Sequence, residues 1–232
     1  MNKKRILLKL SGELLTDDNN KIDNQKILNL CQEINNTRIK ENLEIAIVIG
    51  GGNFWRGRTN PNMDRCLADN IGMLATTMNA LILKDAFNSL NIKAQVLNAI
   101  EMNKITEFYT KEKAINCLED NQIVIFAGGT ANPFFSTDTA AALRASEIDA
   151  DILIKATNVD GLYTSDPKLD INAKLIKETT YQEVLEKNLK VMDLTSITLC
   201  KENNIPIAIF NGNIPNNISN VLTNNNLGTI IK

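Results

Sequence analysis

Seven short apolar runs alternate with helix-like segments, and this alternation constrains the fold more than any other feature of the chain. Several runs are continuously apolar, as expected of strands that other elements cover on both faces. Residues 69–90 show one long helical pattern rich in Met, Ala and Leu. The sequence therefore predicts an α/β fold with an open, mostly parallel sheet covered by helices. The predicted strands span residues 5–10, 43–49, 94–98, 122–127, 151–156, 205–210 and 228–232.

The length sets the number of domains that can form. A chain of 232 residues with 44% hydrophobic content can bury a substantial core, either in one large α/β domain or in two small ones. No repeat or proline-rich linker marks a boundary. A soft division is possible near residue 155, where the polar segment "KATNVDGLYTSDP" predicts a loop.

Charge and one missing residue type exclude several functions. The 25 basic and 27 acidic residues are spread along the chain, so no basic block is available to follow a nucleic acid backbone. The chain contains no histidine. A histidine base, a Ser-His-Asp triad and a histidine-ligated zinc are therefore excluded. Any catalysis by this chain must therefore rely on Lys, Arg, Asp, Glu or Thr side chains or on main-chain groups.

Several features predict a cytoplasmic protein with no membrane contact. The four cysteines lie far apart without a C-x-x-C motif, which is typical of reduced thiols. The amino-terminal segment resembles a signal peptide for only a few residues, because Lys9 and Glu13 interrupt it. No uninterrupted apolar run approaches the ~20 residues of a membrane helix.

Three glycine-bearing turns follow predicted strands. They are "LLKLSGE", "VIGGGNFWRG" and "IFAGGTANPFFSTDTAA". Ligands of open α/β sheets bind beyond the carboxyl ends of strands, and glycine lets an anion approach the main chain closely. One such turn is equally well explained as an ordinary tight turn. Three such turns at the ends of successive strands favour a phosphate-binding site.

The common phosphate motifs do not fit these turns. The fingerprint G-x-G-x-x-G fails from Gly50 because its sixth position is Trp55. Residues 52–59 approach a Walker A motif, but Arg58 stands where the lysine belongs. Lys9 lies between two leucines before Ser-Gly, which indicates an anion above the sheet edge. Asp138 has an alternative interpretation as the N-cap of a helix over 139–148.

Six motifs follow one another along the chain. They are "ILLKLSGE", "IVIGGGNFWRG", "DNIGMLATTMNAL", "GGTANPFFSTDTAAALRA", "KATNVDGLYTSDP" and "KVMDLTSITLC". In this order they resemble the bacterial UMP kinases, which belong to the amino acid kinase superfamily. The resemblance covers nearly the whole chain.

The resemblance implies one domain over 1–232 with the α/β/α sandwich of the amino acid kinase fold. It further implies an acceptor-binding half at about 1–155 and an ATP-binding half at about 156–232. The implied reaction transfers the γ-phosphoryl group of ATP to UMP, giving UDP and ADP in pyrimidine nucleotide biosynthesis. The implied enzyme is a homohexamer, with Mg²⁺ carried in by ATP.

The resemblance also implies site residues and no protein ligand for a metal. The implied catalytic residues are Lys9, Arg56, Asp138 and Lys155. The implied ATP-binding residues are Lys9, Leu10, Ser11, Gly12, Gly52, Arg56, Thr157, Asn158, Tyr163 and Asp166. The implied UMP-binding residues are Gly51, Asp69, Thr130, Ala131, Asn132, Pro133, Phe134, Phe135, Ser136 and Thr137.

The resemblance implies roles for the charged site residues that agree with the sign of each charge. Lys9 and Lys155 neutralise the transferred phosphoryl group, Asp138 orients both lysines, and Arg56 clamps phosphate. Asp69 accepts hydrogen bonds from the ribose of UMP.

Several implied site residues also have structural interpretations. Asp69 is alternatively a helix-start aspartate. Phe134 and Phe135 are alternatively core residues, and residues 164–167 are alternatively a simple turn. Asp193 belongs to a matching motif but receives no role.

The pattern departs from many relatives at two places, and other functions stay open. Residues 16–23, "TDDNNKID", lack the glycines associated with GTP activation, and Asn158 replaces a lysine. Alternatives are a nucleotide sensor without transfer activity, a sister kinase that phosphorylates a carboxylate, and a redox enzyme. The failed dinucleotide fingerprint disfavours the last.

Overall fold

The computed structural model describes residues 3–56, 62–165, 170–187, 189, 192–223 and 227–232. The predicted ATP ligand Asp166 and the last three residues of the Walker-like segment, 57–59, lie outside the described residues.

All seven predicted runs form strands, with bounds within two residues of those expected. Four further strands of two residues each were not predicted, because two residues are too few to show a pattern. The strands are β1 (Lys4–Leu10), β2 (Leu43–Ile49), β3 (Ala94–Asn98), β4 (Glu107–Phe108), β5 (Ile123–Ala127), β6 (Ile152–Thr157), β7 (Leu162–Tyr163), β8 (Leu175–Ile176), β9 (Glu178–Thr179), β10 (Ile207–Asn211) and β11 (Thr229–Ile231).

Within the described residues, nine strands form one sheet in the order β4-β3-β5-β2-β1-β6-β10-β11-β9. All neighbouring pairs are parallel except β10 and β11. The prediction of a mostly parallel sheet is confirmed. Strands β7 and β8 form a separate antiparallel hairpin. The carboxyl ends of β1, β2, β5 and β6 meet at one edge, near the predicted site residues Lys9, Gly51 and Lys155.

Helices cover both faces of the sheet. The described α-helices are α1 (Asn24–Lys40), α2 (Arg65–Ser89), α3 (Lys111–Glu119), α4 (Thr137–Glu147), α5 (Tyr181–Glu186), α6 (Leu194–Glu202) and α7 (Asn217–Thr223). One buried cluster joins the sheet to α1, α2 and α7, and the other joins it to α3, α4, α5 and α6. The α/β/α sandwich is therefore confirmed.

Helix α2 is the longest described helix and begins earlier than the pattern predicted. The side chain of Asp64 caps it by accepting a hydrogen bond from the Leu67 amide, 2.9 Å away. By length and composition α2 could cross a membrane, so the lack of an uninterrupted apolar run did not exclude that interpretation. Its contacts are those of a core helix, because it packs on α1, β3 and β5 and buries Thr76 and Asn79 in hydrogen bonds to strand-end turns.

Candidate active site

A cavity of about 830 Å³ opens at the carboxyl ends of β1, β2 and β5. Helix α2, the start of α4 and the residues Leu189, Met192, Asp193 and Leu194 form its walls. Eleven of the predicted site residues line it. These are Lys9, Gly51, Gly52, Arg56, Asp69, Asn132, Phe134, Phe135, Ser136, Thr137 and Asp138. The predicted residues that do not line it are Leu10, Ser11, Gly12, Thr130, Ala131, Pro133, Lys155, Thr157, Asn158 and Tyr163.

Two lysines and one aspartate form the charged centre of the site. Lys9 on β1 and Lys155 on β6 are direct partners in the parallel register, so their side chains leave the same face of the sheet. The Lys9 ammonium lies 3.0 Å from Asp138 Oδ1, and the Lys155 ammonium lies 2.7 Å from Asp138 Oδ2. Two cations and one carboxylate leave a net charge of +1 at the edge of the cavity.

Burial and ion pairing shift the pKa values of Asp138 and Lys155 in opposite directions. Burial raises the pKa of Asp138, but the two ammonium groups outweigh it and hold that pKa below its usual range. Burial lowers the pKa of Lys155, and the Asp138 carboxylate opposes this shift. Both ammonium groups lie within hydrogen-bond distance of the Asp138 carboxylate, one on each oxygen.

Ser136, and not Asp138, caps helix α4. The Ser136 hydroxyl accepts hydrogen bonds from the amides of Asp138 and Thr139 at 3.0 and 3.1 Å. The N-cap interpretation of Asp138 is wrong, because Asp138 lies in the first turn and its carboxylate turns to the lysines. Asp193 caps α6 and accepts hydrogen bonds from the Ser136 and Thr139 hydroxyls. This contact fixes the start of α4 against α6 and gives Asp193 a structural role.

Main-chain and ionic contacts join the first two glycine turns. The Gly50 amide donates to the Leu10 carbonyl at 3.0 Å, so the ends of β1 and β2 are directly tied. Arg56 pairs with Glu13 in the first turn and donates to the Gly52 carbonyl at 3.2 Å. Leu10 is fully buried, and its carbonyl already accepts the hydrogen bond from the Gly50 amide.

The third turn continues into an exposed loop over the cavity. Phe134 and Phe135 are 65% and 51% exposed, so their interpretation as core residues is wrong. Phe134 has a positive φ of 72°, a costly conformation for a bulky residue. Asp69 supports it, because its Oδ2 accepts hydrogen bonds from the Phe134 amide at 2.8 Å and from Arg65 at 2.7 Å. Asp69 is the fifth residue of α2, one turn beyond the helix start.

The predicted donor-side residues lie beyond β6. Thr157 ends β6 and is paired with Asn211 of β10 in the register. The Tyr163 hydroxyl donates to Asp160 Oδ2 at 3.3 Å, and Asn211 donates to Asp160 Oδ1 at 3.0 Å. Asp160 and Asn211 thus join the hairpin to the sheet edge, and the sequence predicted neither contact.

A family model that describes the amino acid kinase family matches residues 4–211. The chain belongs to the amino acid kinase family. It is similar to a uridylate kinase of Bacteroides thetaiotaomicron, with 46% identity over 98% of both chains. It is also 48% identical to the chloroplastic uridylate kinase PUMPKIN of Arabidopsis thaliana, over 98% of this chain and 68% of that protein. The crystal structure of UMP kinase from Ureaplasma parvum superposes with a TM-score of 0.94 at 41% identity, and all of both chains is covered.

The cavity of this amino acid kinase has a wall that the sequence did not reveal. Leu189, Met192 and Leu194 line it beside the start of α4, although they lie more than 50 residues later in the chain. Trp55 and Met73 line it from the side of α2. Only the matching motif around Asp193 pointed to the later segment, and a motif alone does not show which cavity its residues face.

Proposed function

We propose that the chain transfers the γ-phosphoryl group of ATP to UMP, giving UDP and ADP in pyrimidine nucleotide biosynthesis. The observation that supports this proposal most is the pair of Lys9 and Lys155, which are partners in the register of β1 and β6 and are bridged by Asp138. The pair lies beside a cavity that the three glycine-bearing turns approach. Uridylate kinase relatives that match nearly the whole chain support UMP as the acceptor.

The arrangement suits phosphoryl transfer between two anions. Such a transfer needs in-line positioning and positive charge around the transferred oxygens more than covalent help. Lys9 and Lys155 supply that charge, and Asp138 holds them in one place between turnovers. Arg56 presents fixed guanidinium donors from the cavity wall. No imidazole is required, which agrees with a chain that lacks histidine.

The acceptor nucleotide fits the cavity between α2 and the exposed loop. Residues 130–137 would surround uracil and the UMP phosphate, and Gly51 would approach the UMP phosphate. Asp69 would accept the ribose hydroxyls through Oδ1, because both of its described contacts use Oδ2.

The substitution Asp69→Asn should raise KM for UMP about tenfold and reduce the preference for UMP over dUMP. The neutral amide loses a charge-assisted acceptor for the ribose and weakens support for the loop. Initial-rate kinetics with UMP and dUMP measure both effects, and Asp85→Asn, an exposed change on the same helix, is the control. An unchanged UMP-to-dUMP ratio would remove Asp69 from ribose recognition.

The donor nucleotide would lie along the ends of β1, β2 and β6, in the ATP-binding half at about 156–232. Lys9, Leu10, Ser11 and Gly12 would approach its phosphates together with Gly52 and Arg56. Thr157, Asn158, Tyr163 and Asp166 would hold its adenosine part.

Mg²⁺ would enter with ATP. The described residues contain no group of three or more acidic, cysteine or histidine side chains that could hold a metal ion. Asp138 is already engaged by two lysines. These residues fit a cation that is bound mainly by substrate phosphates and water, as Mg²⁺ commonly is. When bound, the ion would neutralise phosphate charge.

The enzyme would be a homohexamer, as the family resemblance implies. Leu67, Leu74 and Met78 form an exposed apolar stripe on α2, each about half exposed. Such a stripe supports self-association and does not specify six subunits.

The substitution Leu74→Glu should therefore shift the protein to smaller assemblies, because it places a charge in the middle of the stripe. Light scattering after size-exclusion chromatography measures this. Ile39→Glu, an exposed change on α1, should leave the mass unchanged. An unshifted mass for Leu74→Glu would exclude the stripe as an interface.

We also propose a cytoplasmic location. All four cysteines are free, and Cys31 and Cys200 are buried. Free thiols agree with a reducing compartment.

A coupled assay with MgATP and UMP, CMP or small carboxylates tests the proposed reaction. We expect ADP release with UMP. Release only with a carboxylate would assign the chain to a sister family, and calorimetric UMP binding without ADP release would indicate a sensor.

A further inference from the structure

Asn79 of α2 is a fully buried polar residue outside the predicted site. Its Nδ2 donates to the Gly50 carbonyl at 2.7 Å and to Asn53 Oδ1 at 2.7 Å. Asn53 returns a hydrogen bond from its Nδ2 to Asn79 Oδ1 at 3.1 Å. Since the Gly50 carbonyl can only accept, the orientation of the Asn79 amide is fixed. Every polar atom of the side chain is satisfied, as burial requires.

The glycine turn at residues 50–52 depends on hydrogen bonds from neighbouring side chains such as Asn79 to hold its position. Residues 50–52 have no side chains, and described main-chain hydrogen bonds tie the turn to β1 only through the Gly50 amide. A Cβ on Gly51 would lie 2.8 Å from the Ala75 Cβ and 2.9 Å from the Gly72 carbonyl, so this turn packs directly on α2. A Cβ on Gly12 would lie 2.7 Å from the Gly50 carbonyl and 2.9 Å from Asn79 Nδ2. The turn after β2 is therefore hydrogen-bonded to the Asn79–Asn53 pair, and the turn after β1 packs against the same pair.

We propose that Asn79, paired with Asn53, is a positioning residue for phosphoryl transfer. The pair holds the Gly50 carbonyl toward α2, and this fixes Gly51 and Gly52 at the cavity wall relative to Lys9. The inference rests on the proposed function, because the turn it positions is assigned there to both nucleotides. Asn79 itself does not line the cavity.

The first test replaces Asn79 by leucine, which keeps the volume and removes both donors. We expect kcat at saturating UMP and MgATP to fall about 10- to 100-fold, since small misplacements in a transfer site cost rates of this order. Asn53→Ala, at a half-buried position, should reduce kcat in the same way. The double variant should lose much less than the product of the two single losses, because both break one pair.

The control is Asn35→Leu. Asn35 is also a buried helical asparagine, but it accepts hydrogen bonds from Arg38 on α1, away from the cavity. Assays run well below each variant's Tm separate positioning from stability. Wild-type kcat in folded Asn79→Leu and Asn53→Ala would overturn the proposal. If Asn79→Leu does not fold, Asn53→Ala decides alone.

Hydrogen exchange gives a readout that does not depend on activity. Peptides covering residues 50–56 should lose protection in the Asn79 and Asn53 variants and keep it in Asn35→Leu. Unchanged protection of these peptides would contradict the positioning role. A wild-type protein that fails to phosphorylate UMP would refute the proposed function, while this exchange comparison would still test the link between the pair and the turn.

Discussion

Replacing Lys9 by methionine should lower kcat for UMP phosphorylation about 10³-fold, with a much smaller change in KM for UMP. Lys9 is largely buried, and its ammonium lies beside Asp138 at the cavity edge. In the variant Asp138 still pairs with Lys155, so the local charge falls from +1 to zero while the carboxylate stays compensated. The fold should therefore persist, and the loss should be specific to the charge that develops during transfer.

Lys4→Met is the matched control. Lys4 begins the same strand at its opposite end, is exposed, and lies far from the cavity. Steady-state kinetics with both nucleotides varied give kcat and each KM separately. If Lys9→Met retained kcat within about threefold, the ammonium would not act on the transferred group, and the proposed mechanism would have to be abandoned.

The sequence predicted the elements whose pattern is local. The strands β1, β2, β3, β5, β6, β10 and β11 are runs of buried residues, so hydrophobicity alone placed them. The three glycine turns were placed at one sheet edge because parallel strands bring their carboxyl ends together. Lys9 stood out because it interrupts an apolar strand.

The sequence could not predict features that depend on register and tertiary contact. Lys155 was singled out only by the family resemblance, because nothing in the residues around it distinguishes it from other lysines until the pairing of β1 with β6 puts it beside Lys9. The Ser136 hydroxyl that caps α4 also donates to Asp193, 57 residues later in the chain, and no local pattern shows such a contact. The Asn79–Asn53 pair was missed because buried asparagines do not differ in sequence from exposed ones, and this chain is rich in asparagine.

Asp138→Asn should lower kcat/KM about 100-fold and destabilise the fold by about 3 kcal/mol. The amide keeps the shape of the side chain and removes the carboxylate that compensates two largely buried ammonium groups. The two cations would then repel each other at neighbouring positions of the sheet. Thermal unfolding measures the loss of stability, and kinetics well below the Tm of the variant measure the loss of kcat/KM. Asp85→Asn should change neither.

The pH profile distinguishes loss of a charge partner from general damage. Lys155 must be protonated to act as a cation; burial already lowers its pKa, and Asp138 opposes that shift. Without the carboxylate this pKa should fall further, so kcat/KM of Asp138→Asn should decline at lower pH than in the wild type. Lys155→Arg should lose the alkaline decline, because a guanidinium stays protonated there. An alkaline limb at the same pH in wild type and Asp138→Asn would mean that Asp138 does not set the charge of Lys155, whatever its effect on rate.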